Sequence, residues 1–332
     1  MPPFWSRLPL GAHPPPPAGV YERALLVYAG PTSAECDARH ALYHRNFQFF
    51  LHQGLPCSYP TYWGTSQNNR PVHFDVAIVL TNETYAIYEQ QLQAAAAACP
   101  SVRVVLRRDR CYDLEATRTV LKTLDVARYD YYLKVNCGLV GPLLLGDWVA
   151  RGLYWPMLFI EPLRDGRTKL VGLTGACEFY PHVQSFLFAL DRRGLRTVRD
   201  AGVIFDCKDI LEKKDGVRAL VYMYEVGMSK AIVDAGYEIA TINATSDFPR
   251  FRHSPATYVG PPPAECTNFW ASAHALPADA DRRPEGIPFW KVTSYMPAPP
   301  GLDGFLEKVE AYHRERRPEQ HHALTRVCGY DL

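Results

Sequence analysis

Four short segments hold residue types that can do chemistry together. The first is Arg107-Arg108-Asp109-Arg110-Cys111-Tyr112-Asp113-Leu114-Glu115-Ala116. Arginines beside a helix N-terminus can hold a diphosphate, because guanidinium forks and the helix dipole both favour anionic oxygens. Asp113 can instead accept hydrogen bonds from a ribose or a base, or cap the helix while the arginines stay solvated. Composition leaves these readings open. The second segment runs from Tyr129 to Pro142 and turns at Asn136-Cys137-Gly138. There the Asn136 amide and the small Gly138 can meet a phosphate or a sugar hydroxyl, although a neutral amide is a poor ligand for magnesium or manganese. An ordinary strand-ending turn is the plainer alternative.

The third segment, Lys169 to Ser185, combines small residues with Thr174, His182 and Gln184. These three can line a sugar pocket, or His182 can satisfy a buried carbonyl. The fourth, Tyr224-Glu225-Val226-Gly227, places a carboxylate at the opening of a helix. A carboxylate can take the proton from an attacking hydroxyl, or it can complement the positive helix N-terminus. Other chemistries lack their motifs. The sequence has no G-x-x-x-x-G-K-[ST], no G-x-G-x-x-G after the first strand and no G-x-S-x-G elbow, against Walker-type, dinucleotide and hydrolase sites. His40 and His44 share the i, i+4 spacing but lack the glutamate of a zinc protease helix, and read as a solvated face.

These segments need elements to hold them. Strands are predicted at Ala24–Tyr28, Asp75–Leu80, Val102–Leu106 and Tyr131–Val135, with helices over Glu35–Gln53, Tyr85–Ala98 and Asp113–Leu124 between them. Asp113 is placed as the N-cap of the last. Alternation of this kind predicts an α/β fold, a mostly parallel sheet with helices on both faces. Ligands then bind beyond the carboxyl ends of the strands, so Tyr28, Ala29, Asn82, Arg107, Arg110, Asp113 and Asn136 are candidates for one ligand edge. Beyond residue 150, a strand is predicted at Leu170–Thr174, helices at His182–Leu190 and Val226–Ala235, and a strand at Tyr237–Ile242. Asp247–Pro300 is rich in proline and aromatics and reads as loop, and Phe305, Val309 and Tyr312 mark a C-terminal helix.

The 332 residues carry a formal net charge of +1, so no global basic field invites nucleic acid or an anionic membrane. With 47% apolar residues a sizeable core is available. The organisation expected is a proline-rich tail at 1–22 and one domain over 23–332. That domain divides into a nucleotide-binding half at 23–145, an acceptor half at 146–245, and wrapping loops with a helix at 246–332. No stretch reaches the ~18 apolar residues of a membrane helix, and the N-terminus lacks an apolar signal core. The nine cysteines form no C-x-x-C pair and their number is odd, so free buried thiols in a reducing, cytoplasmic setting are expected. The sequons Asn82-Glu83-Thr84 and Asn243-Ala244-Thr245 are then coincidental.

Taken in order, several motifs resemble the rhamnan synthesis protein F-like glycosyltransferases and a related group. They are Tyr43-x-x-Asn46-x-x-Phe49-Phe50-Leu51-x-x-Gly54, then Arg110-Cys111-Tyr112-Asp113, and Tyr131-Tyr132-x-x-x-Asn136 with Gly141-Pro142. Lys169-Leu170-Val171-Gly172, Pro181-His182-Val183-Gln184-Ser185, Glu225-Val226-Gly227 and Ala235-Gly236-Tyr237 complete the set. The likeness covers about residues 24–245. It implies a GT-A-like fold, a nucleoside-diphosphate sugar donor and a glycan acceptor. It places Asp113 at the nucleotide, Asn136 where an acidic metal-binding motif would stand, and Glu225 near the acceptor as the base. Gly138, Thr174, His182 and Gln184 would meet the sugar. Cys137 departs from the serine or alanine common after that asparagine. The missing Asp-x-Asp pair leaves dependence on a divalent cation, magnesium or manganese, open. Two other readings stand beside this one: a non-catalytic glycan- or nucleotide-binding protein on the same fold and, last, a nucleotidyltransferase.

Overall fold

The computed structural model describes residues 21–56, 71–109, 111–143, 154–176, 180–204, 219–242, 288–292, 301–316 and 327–328. Residues 1–20 of the proline-rich tail, most of the loop expected at 247–300 and the sequon at Asn243 lie outside the described residues; within that loop Trp290–Lys291 forms a short strand instead.

The first half follows the predicted alternation. β1 (Glu22–Ala29), α1 (Ala38–Gln53), β2 (Val72–Leu80), α2 (Asn82–Ala98), β3 (Val102–Leu106), α3 (Tyr112–Thr123) and β4 (Tyr131–Asn136) succeed one another. Seven strands form one sheet in the order β10-β6-β9-β4-β1-β2-β3, where β6 is Thr168–Gly172, β9 is Leu187–Asp191 and β10 is Glu238–Thr241. β1 with β2, β2 with β3, and β6 with β10 are parallel, whereas β9 runs antiparallel to β6. This is the expected α/β architecture with a mostly parallel sheet. The strands of such a sheet are buried on both faces, so they read as continuous apolar runs. Ala24 through Ala29 shows it, with no residue above 2% exposure.

Two helix and strand predictions need correction. His182–Leu190 is not a helix: it forms β8 (His182–Val183), paired antiparallel with β7 (Gly175–Ala176), and then β9. Leu187, Phe188, Ala189 and Leu190 are all buried, and an apolar run of that length is ambiguous by periodicity alone. The helix lies just after, as α5 (Arg192–Asp200), capped by the Asp191 carboxylate on the Gly194 N–H. The second correction concerns α3, whose N-cap is Cys111, not Asp113; Asp113 falls inside the first turn. Cys111 and Tyr112 both hold positive φ, 58° and 47°, a backbone conformation that costs non-glycine residues energy.

By contacts the chain forms two compact units, Met1–Asp109 with Val135–Trp155 and Arg283–Leu332, and Arg110–Lys134 with Pro156–Arg282. In the first, α1 lays Phe50 on Tyr28, ring centroids 4.1 Å apart, and Phe47 meets the edge of Tyr88 from α2. Each such aromatic pair adds about 1 kcal/mol beyond burial. Phe49 joins a second cluster with Val140, Leu143, Val292, Leu302, Phe305, Leu306 and Val309. Phe305 and Val309 are the predicted inward face of the C-terminal helix, Leu302–Arg316. In the second unit, Gly227–Asp234 forms α6, which buries Met228, Ser229, Ile232 and Val233 and stops before Gly236 at φ 85°.

The cysteines also differ from expectation. Cys36 and Cys328 form a disulfide across 292 residues of sequence, and Cys99 and Cys111 are disulfide-bonded too. Among the described residues Cys137 keeps a thiol. The expectation of free buried thiols fails for these four. Cysteine spacing alone could not reveal pairs joined only by the fold.

Candidate functional site

In the first unit the parallel ladder brings four chain segments to one edge. Ala29 pairs with Val79 and Leu80 with Leu106, so β1, β2 and β3 end together. Backbone bonds continue past the strands. Gly30 N–H donates to Val79 O at 3.0 Å, Arg107 N–H to Leu80 O at 2.8 Å and Cys137 N–H to Ala29 O at 3.0 Å. A Cβ at Gly30 would run into Leu80 Cδ2, so the end of the Leu80 side chain would have to shift to admit one.

The turn after β4 is fixed on several sides. Asn136 Oδ1 accepts the Gly138 N–H at 3.0 Å, a side-chain mimic of a backbone turn. Asn46 on α1 donates from Nδ2 to Cys137 O at 2.9 Å, and Val292 N–H donates to Gly138 O at 2.9 Å. Asn46 is fully buried. Its role was missed in the sequence, although an amide beside Phe47, Phe49 and Phe50 was a signal: buried polar groups need partners.

The other candidates in this unit divide. Ala29 offers its backbone at the edge. Tyr28 is 0% exposed and its ring belongs to the core; burial, with Cys137 and Tyr88 nearby, pushes its hydroxyl well above the usual phenol range. Asn82 is exposed at the first position of α2, just after the capping residue Thr81. Arg107 is mostly buried at 8% exposure. Arg110 lies outside the described residues.

The second unit gathers His182, Ser185 and Glu225. Glu225 sits on a π-helix, Val221–Val226, leading directly into α6, a wide-turn geometry that recurs at functional sites. Ser185 donates its backbone N–H and its hydroxyl to Glu225 Oε2, each at 2.6 Å. His182 Nε2 stands 3.5 Å from Oε1, while its Nδ1 donates to Tyr180 O at 2.7 Å. Lys134 Nζ holds Ser185 O at 2.7 Å, and Ser229 Oγ accepts the Val183 N–H at 2.9 Å. Ser185, Lys134 and Ser229 were not anticipated as site residues. A buried lysine in a strand, Lys134 at 0% exposure, was the available cue.

Burial pushes the Glu225 carboxyl up, but the hydrogen bond and charge of His182 and the two Ser185 donors outweigh it and bring it down to about 2. Thr174 and Gln184, proposed for sugar contacts, are buried and turned onto each other: Thr174 Oγ1 donates to Gln184 Oε1 at 2.7 Å, and Gln184 N–H to Thr174 O at 3.1 Å.

For a cation, the described residues offer one close donor group, Glu35, Asp37 and His40, with ligand atoms within 4.8 Å of one another. Asp37 already accepts the His40 N–H at 2.8 Å at the start of α1. At the Asn136 turn the donors are an amide and backbone. No described helix is long and apolar enough to cross a membrane.

No family model matches the sequence, and no curated protein matches it. Solved structures similar to it include the glycosyltransferase GlyE of Streptococcus pneumoniae TIGR4, 11% identical, with TM-score 0.35 over 67% of this chain and 45% of that one. S. aureus TarS 1–349 is 11% identical, with TM-score 0.33 over 61% and 55%. The bifunctional WbbM is 9% identical, with TM-score 0.30 over 62% and 38%. The chain spans about half the length of GlyE and TarS, and less of WbbM. Likeness at this level assigns no activity, so the functional reading rests on the chain's own residues.

Proposed function

We propose that the protein is a glycosyltransferase that moves a sugar from a nucleoside-diphosphate donor to a glycan acceptor. The observation that carries this reading is the Asn136–Gly138 turn, tied to Ala29 at the carboxyl edge of the parallel strands, the place where such sheets bind ligands. On the first unit the donor would meet the Ala29 backbone, Arg107, Asn136 and Gly138. The rhamnan synthesis protein F-like relationship belongs to the same proposal and is supported by the order of its motifs.

In the reaction, an acceptor hydroxyl attacks the anomeric carbon. A new C–O bond forms, the bond to the diphosphate breaks, and the hydroxyl proton passes to a base. Charge grows on the leaving diphosphate, and Arg107 can offset it. A divalent cation would neutralise that charge too, but the Asn136 amide is a poor ligand for it. Glu225 is the proposed catalytic carboxylate. A carboxyl near 2 is a feeble proton acceptor at neutral pH; it suits a fixed negative charge beside a sugar that becomes oxocarbenium-like. His182 would hold that charge in place.

A binding-only protein is the second reading, favoured by the two Ser185 bonds that occupy Glu225 Oε2 and by the closed Thr174–Gln184 pair. Turnover separates the two. The transferase reading expects slow donor hydrolysis without acceptor, lost in Glu225→Gln with donor binding retained. Equal turnover in that variant would remove Glu225 from the chemistry, and a parent protein that binds donor but never turns it over would favour the binding protein. The cytoplasmic placement rested on the missing signal core and on reduced cysteines, and the disulfides remove the second support.

A further inference from the structure

We propose that the protein matures in an oxidising compartment of the secretory type and carries an N-linked glycan on Asn82. Two independent observations lead there, and neither depends on the transferase reading.

The first is the cysteine framework. Cys36, in the loop after β1, bonds Cys328 with Cα atoms 5.1 Å apart, inside the usual range for a disulfide. Cys99 closes α2 and Cys111 opens α3, and both are disulfide-bonded. Cytosolic thiols are kept reduced, so several structural disulfides in one chain mark an oxidising setting. Each bond forms by exchange with a protein disulfide, which takes up two electrons and two protons and leaves as a dithiol.

The second is the sequon Asn82-Glu83-Thr84, an acceptor pattern for N-glycosylation in such a compartment. Asn82 and Glu83 are exposed, whereas Thr84 is buried. Thr84 Oγ1 accepts the Thr81 N–H at 3.1 Å and lies 3.0 Å from Thr81 Oγ1, within the capping box of α2. An enzyme that reads the threonine hydroxyl must therefore act before this box closes, on the nascent chain. In that step Asn82 Nδ2 attacks the anomeric carbon of a lipid-diphosphate-linked oligosaccharide. A C–N bond forms, the C–O bond to the diphosphate breaks, the amide proton goes to the transferring enzyme's base, and the lipid diphosphate leaves. The finished helix then presents the modified side chain to solvent without displacing a core residue. Asn82 is consequently withdrawn from the donor contacts.

The test uses the protein purified from the cells that make it, with thiols alkylated at lysis. Peptide mapping should recover Cys36 and Cys328 in one disulfide-linked peptide. Peptide:N-glycosidase should leave aspartate at position 82, and an Asn82→Gln protein should lack the corresponding mobility shift. Alkylated Cys36 and Cys328 would overturn the compartment and the glycan together. Intact disulfides with an unmodified Asn82 would overturn the glycan.

Discussion

One oxygen of Glu225 receives two hydrogen bonds from the same residue, the Ser185 backbone N–H and its hydroxyl, each at 2.6 Å. A carboxylate on a π-helix is thereby locked to the strand-turn segment that also carries His182. Charge-assisted bonds of this kind exceed neutral ones in strength. Glu225→Gln keeps the shape and removes the charge, leaving His182 without its anionic partner. The variant should lose about 2–3 kcal/mol of stability, read as a lowered urea midpoint at neutral pH.

Acid should reveal the same pair. The folded carboxyl sits near 2, below its ordinary 4.5. The folded state thus holds the proton more weakly than the unfolded chain does. The stabilisation is complete above the ordinary value and is lost as pH falls from about 4.5 towards 2, amounting to on the order of 3 kcal/mol. Urea titrations between pH 6 and pH 3 should show this loss in the parent and a shallower slope in Glu225→Gln. Parallel slopes would separate Glu225 from the acid dependence.

Reduction should destabilise the protein. Cys36–Cys328 closes a very long loop, and cross-links of this kind typically contribute about 2–5 kcal/mol, chiefly through the unfolded state. Cys36→Ser should lower the melting temperature by several degrees. Added dithiol should then have less further effect on that variant than on the parent.

The Asn136 turn should loosen without Asn46. Asn46→Ala leaves the Cys137 carbonyl without the donor that holds it, a cost of about 1–3 kcal/mol. If the turn forms part of the donor site, donor affinity should fall by more than this change in global stability explains. Equal affinity in folded Asn46→Ala would detach the turn from binding.

Gly141 leaves no room for a side chain. A Cβ there would lie 2.5 Å from Phe289 Cδ1 and 2.6 Å from Pro288 O. Gly141→Ala should destabilise by about 1–3 kcal/mol, measured as a fall in melting temperature, whereas exposed Gly166 is open on all sides but constrained by its φ of 79°.

The parallel half of the sheet was legible because double burial writes itself as runs such as Asp75–Leu80, and Gly or Pro ends each run. β3 was predicted with its exact residues, Val102–Leu106. β9 was not, because Leu187–Leu190 is apolar on every side and only its pairing with β6 makes it a strand. The same limit hid the site. His182 and Glu225 were visible as residue types, but the Ser185 bonds that fix the Glu225 charge come from a residue 40 positions away. Asn46 and Lys134 act through partners 91 and 51 positions away, and local pattern carries no trace of such pairs. Disulfides joined across the fold were hidden for the same reason.

The most direct test of the transferase assignment is a thermal scan against a panel of nucleoside-diphosphate sugars, with free sugars and nucleosides as controls. A ligand that binds only the native state stabilises it by about 2.7 kcal/mol at a hundredfold excess over Kd, a rise on the order of 5 °C for a chain of this size. The account predicts that rise for at least one nucleotide sugar, reduced in Asn136→Ala and in Arg107→Ala. A flat response across the panel, in protein that is folded and correctly disulfide-bonded, would contradict it.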